Sequence, residues 1–95
     1  MKEVHDEMIF IILSKWRRKP TKEVVAQMRK LYEQAVKEGV KFRGRYWTLG
    51  RHDAVSITEG PDEKTVMKAL IRFGDLVSTE TLVTVPSEEA FKLLE

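Results

Sequence analysis

From Met8 to Trp16 apolar residues fill both alternating faces, with Ile9, Ile11 and Leu13 on one side and Met8, Phe10 and Ile12 on the other. A strand that is apolar on both sides is expected to be covered on both sides. Arg17-Arg18-Lys19-Pro20 breaks that run, and Thr21 suits an N-cap. Val24, Val25, Met28, Leu31, Tyr32, Ala35 and Val36 then recur at helical spacing as far as Gly39, which predicts a helix over 21–38. Alternation returns in a strand over 40–49, and Gly50-Arg51 suits a two-residue turn into a third strand over 52–59. Gly60-Pro61-Asp62 closes that strand, and Val66, Ala69, Leu70 and Phe73 mark a second helix over 62–73 ending at Gly74. A fourth strand over 77–85 follows, then Pro86-Ser87 and a short terminal helix carrying Phe91 and Leu94.

The order strand, helix, strand, strand, helix, strand is a split βαβ unit of the α+β class. Right-handed crossovers make it a four-stranded antiparallel sheet with both helices on one face and the first and third strands central. Two helices cover only one face, so the other requires a second cover, and another copy of the chain is the simplest one. At 95 residues the chain is expected to form one domain over 1–95, with 1–7 as an N-terminal tail and 86–95 as the terminal helix. A homodimer or larger homo-oligomer is the expected assembly.

Pairing Leu49 with His52 sorts the central side chains into two sets. Phe42, Tyr46 and Thr48 fall beside Asp53, Val55 and Ile57, and this apolar set is assigned to the helices. Lys41, Arg43, Arg45, Trp47 and Leu49 fall with His52, Ala54, Ser56 and Thr58 on the opposite, open face. Met8, Phe10 and Ile12 are expected to join Trp47 there as exposed apolar surface, which soluble monomers avoid.

Composition narrows the chemistry. The chain has no cysteine, which removes disulfides, thiolate metal sites and cysteine nucleophiles. Its imidazoles are His5 and His52, with no metal-binding spacing, so no metal is expected. No motif calls for a cofactor, and none is expected. Seventeen basic residues against fifteen acidic ones leave a nearly balanced surface, not the footprint of a nucleic-acid binder. No apolar run approaches ~20 residues, which excludes a membrane helix. The acidic N-terminus before Met8 does not read as a signal peptide, which makes the cytoplasm the expected location. Asparagine is absent and Lys and Glu are abundant, a bias reported for proteins of hot environments.

One segment carries a family resemblance. Tyr46-Trp47-Thr48-Leu49-Gly50 with Asp53, Glu59, Pro61-Asp62, Gly74 and Thr79-Glu80-Thr81-Leu82 resembles the GYD-domain family of small bacterial and archaeal proteins. The likeness covers roughly 8–85, and His52 stands where the family has the tyrosine of its name. The resemblance implies a ferredoxin-like fold of the dimeric α/β-barrel type. It implies no activity.

The candidate site is a pocket on the open face between protomers. Arg45, Trp47, His52, Ser56 and Thr58 are its expected ligand-binding residues, Arg45 for an anionic group and Trp47 as a flat apolar wall. Tyr46, Asp53, Thr79, Glu80 and Thr81 are expected to frame it. His52 and Asp53, as strand neighbours, point opposite ways and do not make a simple acid–base dyad. A small-molecule-binding or regulatory domain is the leading reading. A cofactor-free enzyme working in the barrel interior is the alternative, and an RNA-binding module the second, disfavoured by a third strand without exposed aromatics.

Overall fold

The computed structural model describes residues 7–95; His5 and the tail before Glu7 lie outside them. The elements run β1 (Met8–Trp16), α1 (Lys22–Lys37), β2 (Lys41–Trp47), β3 (Ala54–Gly60), α2 (Glu63–Arg72), β4 (Val77–Val83) and α3 (Ser87–Lys92). The strands pair antiparallel in the order β2-β3-β1-β4, so β1 and β3 are central and β2 and β4 are edges. This is the ferredoxin-like arrangement. The sheet is open, so closure into a barrel would need a second copy.

Both long helices start on a side chain that accepts from an orphan amide. Thr21 Oγ1 takes the Val24 N–H at 3.2 Å, and Asp62 Oδ1 takes the Thr65 N–H at 2.8 Å. Gly39 ends the α1 region with φ of +105°, a conformation that favours glycine. The helices are tied together at the surface, where Glu38 accepts two bonds from the Arg72 guanidinium at 2.7 and 2.8 Å.

Three packed groups join the helices to one face of the sheet. Val24 and Met28 of α1 meet Phe73, Leu76 and Val77, with Trp16 and Tyr32 alongside. Val66 of α2 packs on Phe10 and Ile12, and Ala35, Val40 and Ala69 sit between the helices. Phe10 and Ile12 are therefore core residues beneath the helices, not exposed ones. Met8 packs against the same group.

The expected face assignment is reversed for Arg45, Trp47, Ala54, Ser56 and Thr58 and for Tyr46, Val55 and Ile57, whereas Phe42 lies under the helices and Lys41 and His52 on the open face as expected. Cross-strand neighbours near the turn are as the Leu49–His52 pairing required, with Trp47 opposite Ala54 and Arg45 opposite Ser56. But Ala54, Ser56 and Thr58 lie beneath the helices, opposite Ser14, Ile12 and Phe10 of β1. Their small size has a physical role there, because helices packed on a sheet leave little room over its central strands. The open face instead carries Ile9, Ile11 and Leu13 of β1, Val55 and Ile57 of β3, and Leu82 of β4.

Two local features differ from the expected β2–β3 hairpin. The last backbone bond is from Thr48 N–H to Asp53 O at 2.9 Å, so four residues rather than two span the turn. Gly50 sits in it at φ +111°, and Thr48 Oγ1 donates to His52 O at 2.7 Å. At Arg43 a β-bulge shifts the register, pairing Phe42 with Thr58 and moving its ring to the helix face.

Candidate functional site

The helix face of β2 carries two exposed side chains, Arg45 and Trp47. Arg45 projects beneath α1, its guanidinium carbon 4.1 Å from the centre of the Tyr32 ring and 5.7 Å from that of Phe42. Tyr32 also packs edge-on against Phe42, with ring centres 4.9 Å apart, and against Phe73 at 5.0 Å. A guanidinium over aromatic faces is held by the ring quadrupole without being neutralised. Among the described residues Arg45 has no carboxylate within ion-pair distance. Burial pushes the Tyr32 phenol above its ordinary pKa, and the nearby Arg45 charge pulls partly the other way. The phenol therefore keeps its proton at neutral pH.

One step along the same face, Trp47 stands 65% exposed against the edge of Trp16, ring centres 5.2 Å apart and planes at 76°. Between Arg45, Trp47, Tyr32 and the sheet lies an inner chamber of about 40 Å³. That is room for a few water molecules at most. Ser14, Ser56 and Asp53 form its polar floor, with Met28 and Val77 as apolar lining. Ser56 Oγ shares a hydrogen bond with buried Thr58 Oγ1 at 2.5 Å. Asp53 Oδ2 accepts the Trp16 N–H at 2.8 Å while its own N–H donates to Ser14 O at 2.8 Å. Asp53 thus continues the β1–β3 ladder past Ala54 and ties the end of β1 to the turn.

The chamber opens toward solvent between α1 and β2. A cleft of about 280 Å³ lies outside it, shared by Arg45, Trp47, Tyr32 and Met28 with Arg29 and Val25 of α1. A wider groove of about 610 Å³ continues along Phe42, Val36 and Lys37, again with Arg29 and Arg45. Grooves of this size match those that hold small molecules. Arg29, Lys37 and Arg45 against Glu33 give the groove a positive balance.

The residues expected to share one pocket divide into three places. Arg45, Trp47, Ser56 and Asp53 come together at the chamber, with Thr58 bonded beneath Ser56. His52 is on the other side of the sheet, its Nε2 3.5 Å from Glu80 Oε1. Tyr46 contributes to the chamber lining, but its ring lies over Gly44, where an added Cβ would come within 2.8 Å of the ring. Thr79 and Thr81 are exposed and line a different, apolar groove beside α2 with Phe10 and Val83. The chamber is therefore formed within one chain on the helix side, and Arg45, Trp47 and Ser56 stand there rather than on the open face. Tyr32, Met28 and Arg29 were not expected. Their helical spacing reads as ordinary core and surface, and only the phenol in an apolar stripe hints otherwise. Among the described residues no group of three His, Asp or Glu side chains is placed to hold a metal ion.

A family model for the GYD domain matches residues 10–94. The chain belongs to the GYD domain family. The match takes in all of the chamber residues and also α3. The GYD-domain fold is shared with solved structures of low sequence identity. MtbAldR aligns with a TM-score of 0.56 at 10% identity, over 83% of this chain and 53% of that one, so this chain spans about half its length. Protein YjcS gives 0.56 at 19% identity, over 82% and 97%. A hypothetical Arabidopsis thaliana protein, At3g17210, gives 0.55 at 15%, over 90% and 93%. At such identities the likeness speaks for the fold alone. No curated protein matches the chain in sequence. Among the described residues no helix is long and apolar enough to cross a membrane.

Proposed function

We propose that this GYD domain is a homodimeric small-molecule-binding domain whose ligand carries an anionic group and a flat apolar body. The observation that carries the reading is Arg45. It is exposed, lacks a carboxylate partner among the described residues, and is pre-positioned on Tyr32 at the mouth of the chamber. An anion would meet a guanidinium already oriented, with Arg29 across the cleft adding attraction. Trp47 and Tyr32 offer aromatic walls, and Ser14 and Ser56 add polar lining. The small inner chamber admits the tip of a ligand, while the outer groove takes its body.

Dimerisation is supported by the open face. Ile9, Ile11, Leu13, Val55, Ile57 and Leu82 form an apolar row across the three strands β3, β1 and β4, a surface that pairing of two sheets would remove from water. That face has no aromatic side chain on β1 or β3, so it lacks the stacking platform of an RNA-recognition sheet.

Both tryptophans of the chain, Trp16 and Trp47, lie at the site, so intrinsic fluorescence reports on it directly. Titration with benzoate as probe should shift or quench the emission, and native mass spectrometry of gently purified protein should show a retained small mass. Arg45→Ala should weaken both effects by at least about tenfold, the loss of one charge-assisted contact. Unchanged emission up to millimolar probe, together with a bare protein mass, would leave Arg45 as a cover for the Tyr32 edge of the core.

A further inference from the structure

The C-terminal end of the chain leaves its own fold with apolar groups uncovered. No residue of α3 is buried, and Phe91, Leu93 and Leu94 are 58%, 80% and 88% exposed. The segment before it is tied to β1. Thr84 donates both its N–H, at 3.2 Å, and its Oγ1, at 2.7 Å, to the Ile9 carbonyl. Pro86 then fixes the backbone in an extended conformation, φ −55° and ψ 139°. Six residues of helix follow this stiff lead, ending in an apolar tip.

The same chain carries an apolar groove that nothing in it covers. It lies between α2 and β4, has a volume of about 440 Å³, and is lined chiefly by Phe10, Val66, Leu70 and the exposed Met67, Ile71 and Val83. Charges beside the two surfaces are opposite. The tip carries Glu88, Glu89 and Glu95 around a single Lys92. Lys64 stands exposed on α2 one helical step from Met67, Lys68 lies one step from Ile71 with its ammonium 4.0 Å from Glu38, and Glu63 lines the groove itself.

We propose that α3 is an exchanged arm, and that the occupant of the α2/β4 groove is the arm of a second copy of this chain. Phe91 and Leu94, at i and i+3, present one face and would enter the groove as a short amphipathic helix does. In a two-fold dimer the contact forms twice, each copy giving an arm and receiving one. This assembly contact is independent of the Arg45 chamber and of any ligand.

The absence of cysteine makes the test clean, because only introduced thiols can bridge. Chains carrying Leu94→Cys are coexpressed with differently tagged chains carrying either Met67→Cys or Ile71→Cys, then oxidised mildly. The expected product is a disulfide between unlike chains, in at least one of the two pairings, at levels above a control with Lys30→Cys. In parallel, Phe91→Asp with Leu94→Asp in the full chain should raise the dimer dissociation constant at least tenfold in sedimentation runs, with an unchanged far-UV spectrum. An internally bridged monomer from the Leu94→Cys/Met67→Cys double variant would show that the arm folds on its own chain. Bridging only between two Leu94→Cys arms, or an unchanged dissociation constant in the doubly charged variant, would equally overturn the proposal.

Discussion

Gly60 sets how closely α2 can lie on the sheet. It is buried opposite Met8, and a Cβ built there would come 2.7 Å from Val66 Cγ2, well inside normal contact. The other atom near that Cβ, the Asp62 carbonyl oxygen, is at an ordinary 3.9 Å, so the conflict is with one methyl group. Val66 has little freedom to yield. It is 2% exposed, packs on Phe10 and Ile12, and sits one turn into a helix whose start is fixed by Pro61 and the Asp62 cap. Gly60→Ala should therefore destabilise by about 1–3 kcal/mol through overpacking. Reduced freedom of the unfolded chain would return ~0.4–1 kcal/mol. Val66→Ala alone removes two buried methyl groups, at ~0.8 kcal/mol each before any cavity term. If the clash is with Cγ2, the double variant places the new methyl in the vacated space. It should then be no less stable than Val66→Ala, which amounts to a favourable coupling of about 1–2 kcal/mol. Urea unfolding at one fixed protein concentration measures all four corners of this cycle, since association would otherwise shift the midpoints. A neutral Gly60→Ala, or losses that add within about 0.5 kcal/mol, would refute the close seating of α2.

Two further outcomes follow from other parts of the fold. Hydrogen bonds from Arg72 hold the Glu38 carboxyl below its ordinary pKa, so this pair stabilises the fold above the ordinary carboxylate range and loses that effect as pH falls through the lowered value. Glu38→Gln should remove that share of the acid sensitivity, giving a flatter dependence of the urea midpoint on pH between about 7 and 3; an unchanged slope would mean the pair adds nothing. On the open face, Ile57→Lys should convert dimer to monomer in sedimentation while the circular dichroism of the fold persists, because Ile57 faces away from the helices; a dimer of undiminished stability would place the interface elsewhere.

Element order and boundaries were legible because their signals are local. Thr21, Gly39, Asp62 and Gly74 bracket the two long helices, and the structure uses Thr21 and Asp62 as caps. The register near the turn was legible too, since lengthening a two-residue turn to four keeps Trp47 opposite Ala54. Which face meets the helices was not. β1 is apolar on both sides, so its pattern carries no sign, and Ser56 and Thr58 read as solvent-facing although they lie under the helices. The Arg43 bulge leaves Phe42 under the helices, where it was expected, while Tyr46 of the same expected set faces the other way, and no alternation pattern reveals that break. Arg45, Trp47 and Ser56 still came together, because residues that share a face do so whichever way the face points. His52 stayed apart for a similar reason: its neighbour Asp53 is spent on the Trp16 amide, and His52 turns to Glu80.

The bulge on β2 also bears on how the sheet can grow. An edge strand recruits another strand only where its free amides and carbonyls run in regular order, and a bulge interrupts that order and adds local twist. On β2 the interruption falls at Arg43, whose guanidinium is held by Glu59 of the neighbouring strand at 2.6 Å. β4 has no such break in its pairing with β1. Regular continuation of the sheet from one molecule to the next is therefore favoured on the β4 side, and the mouth of the Arg45 chamber lies on the edge whose ladder is broken.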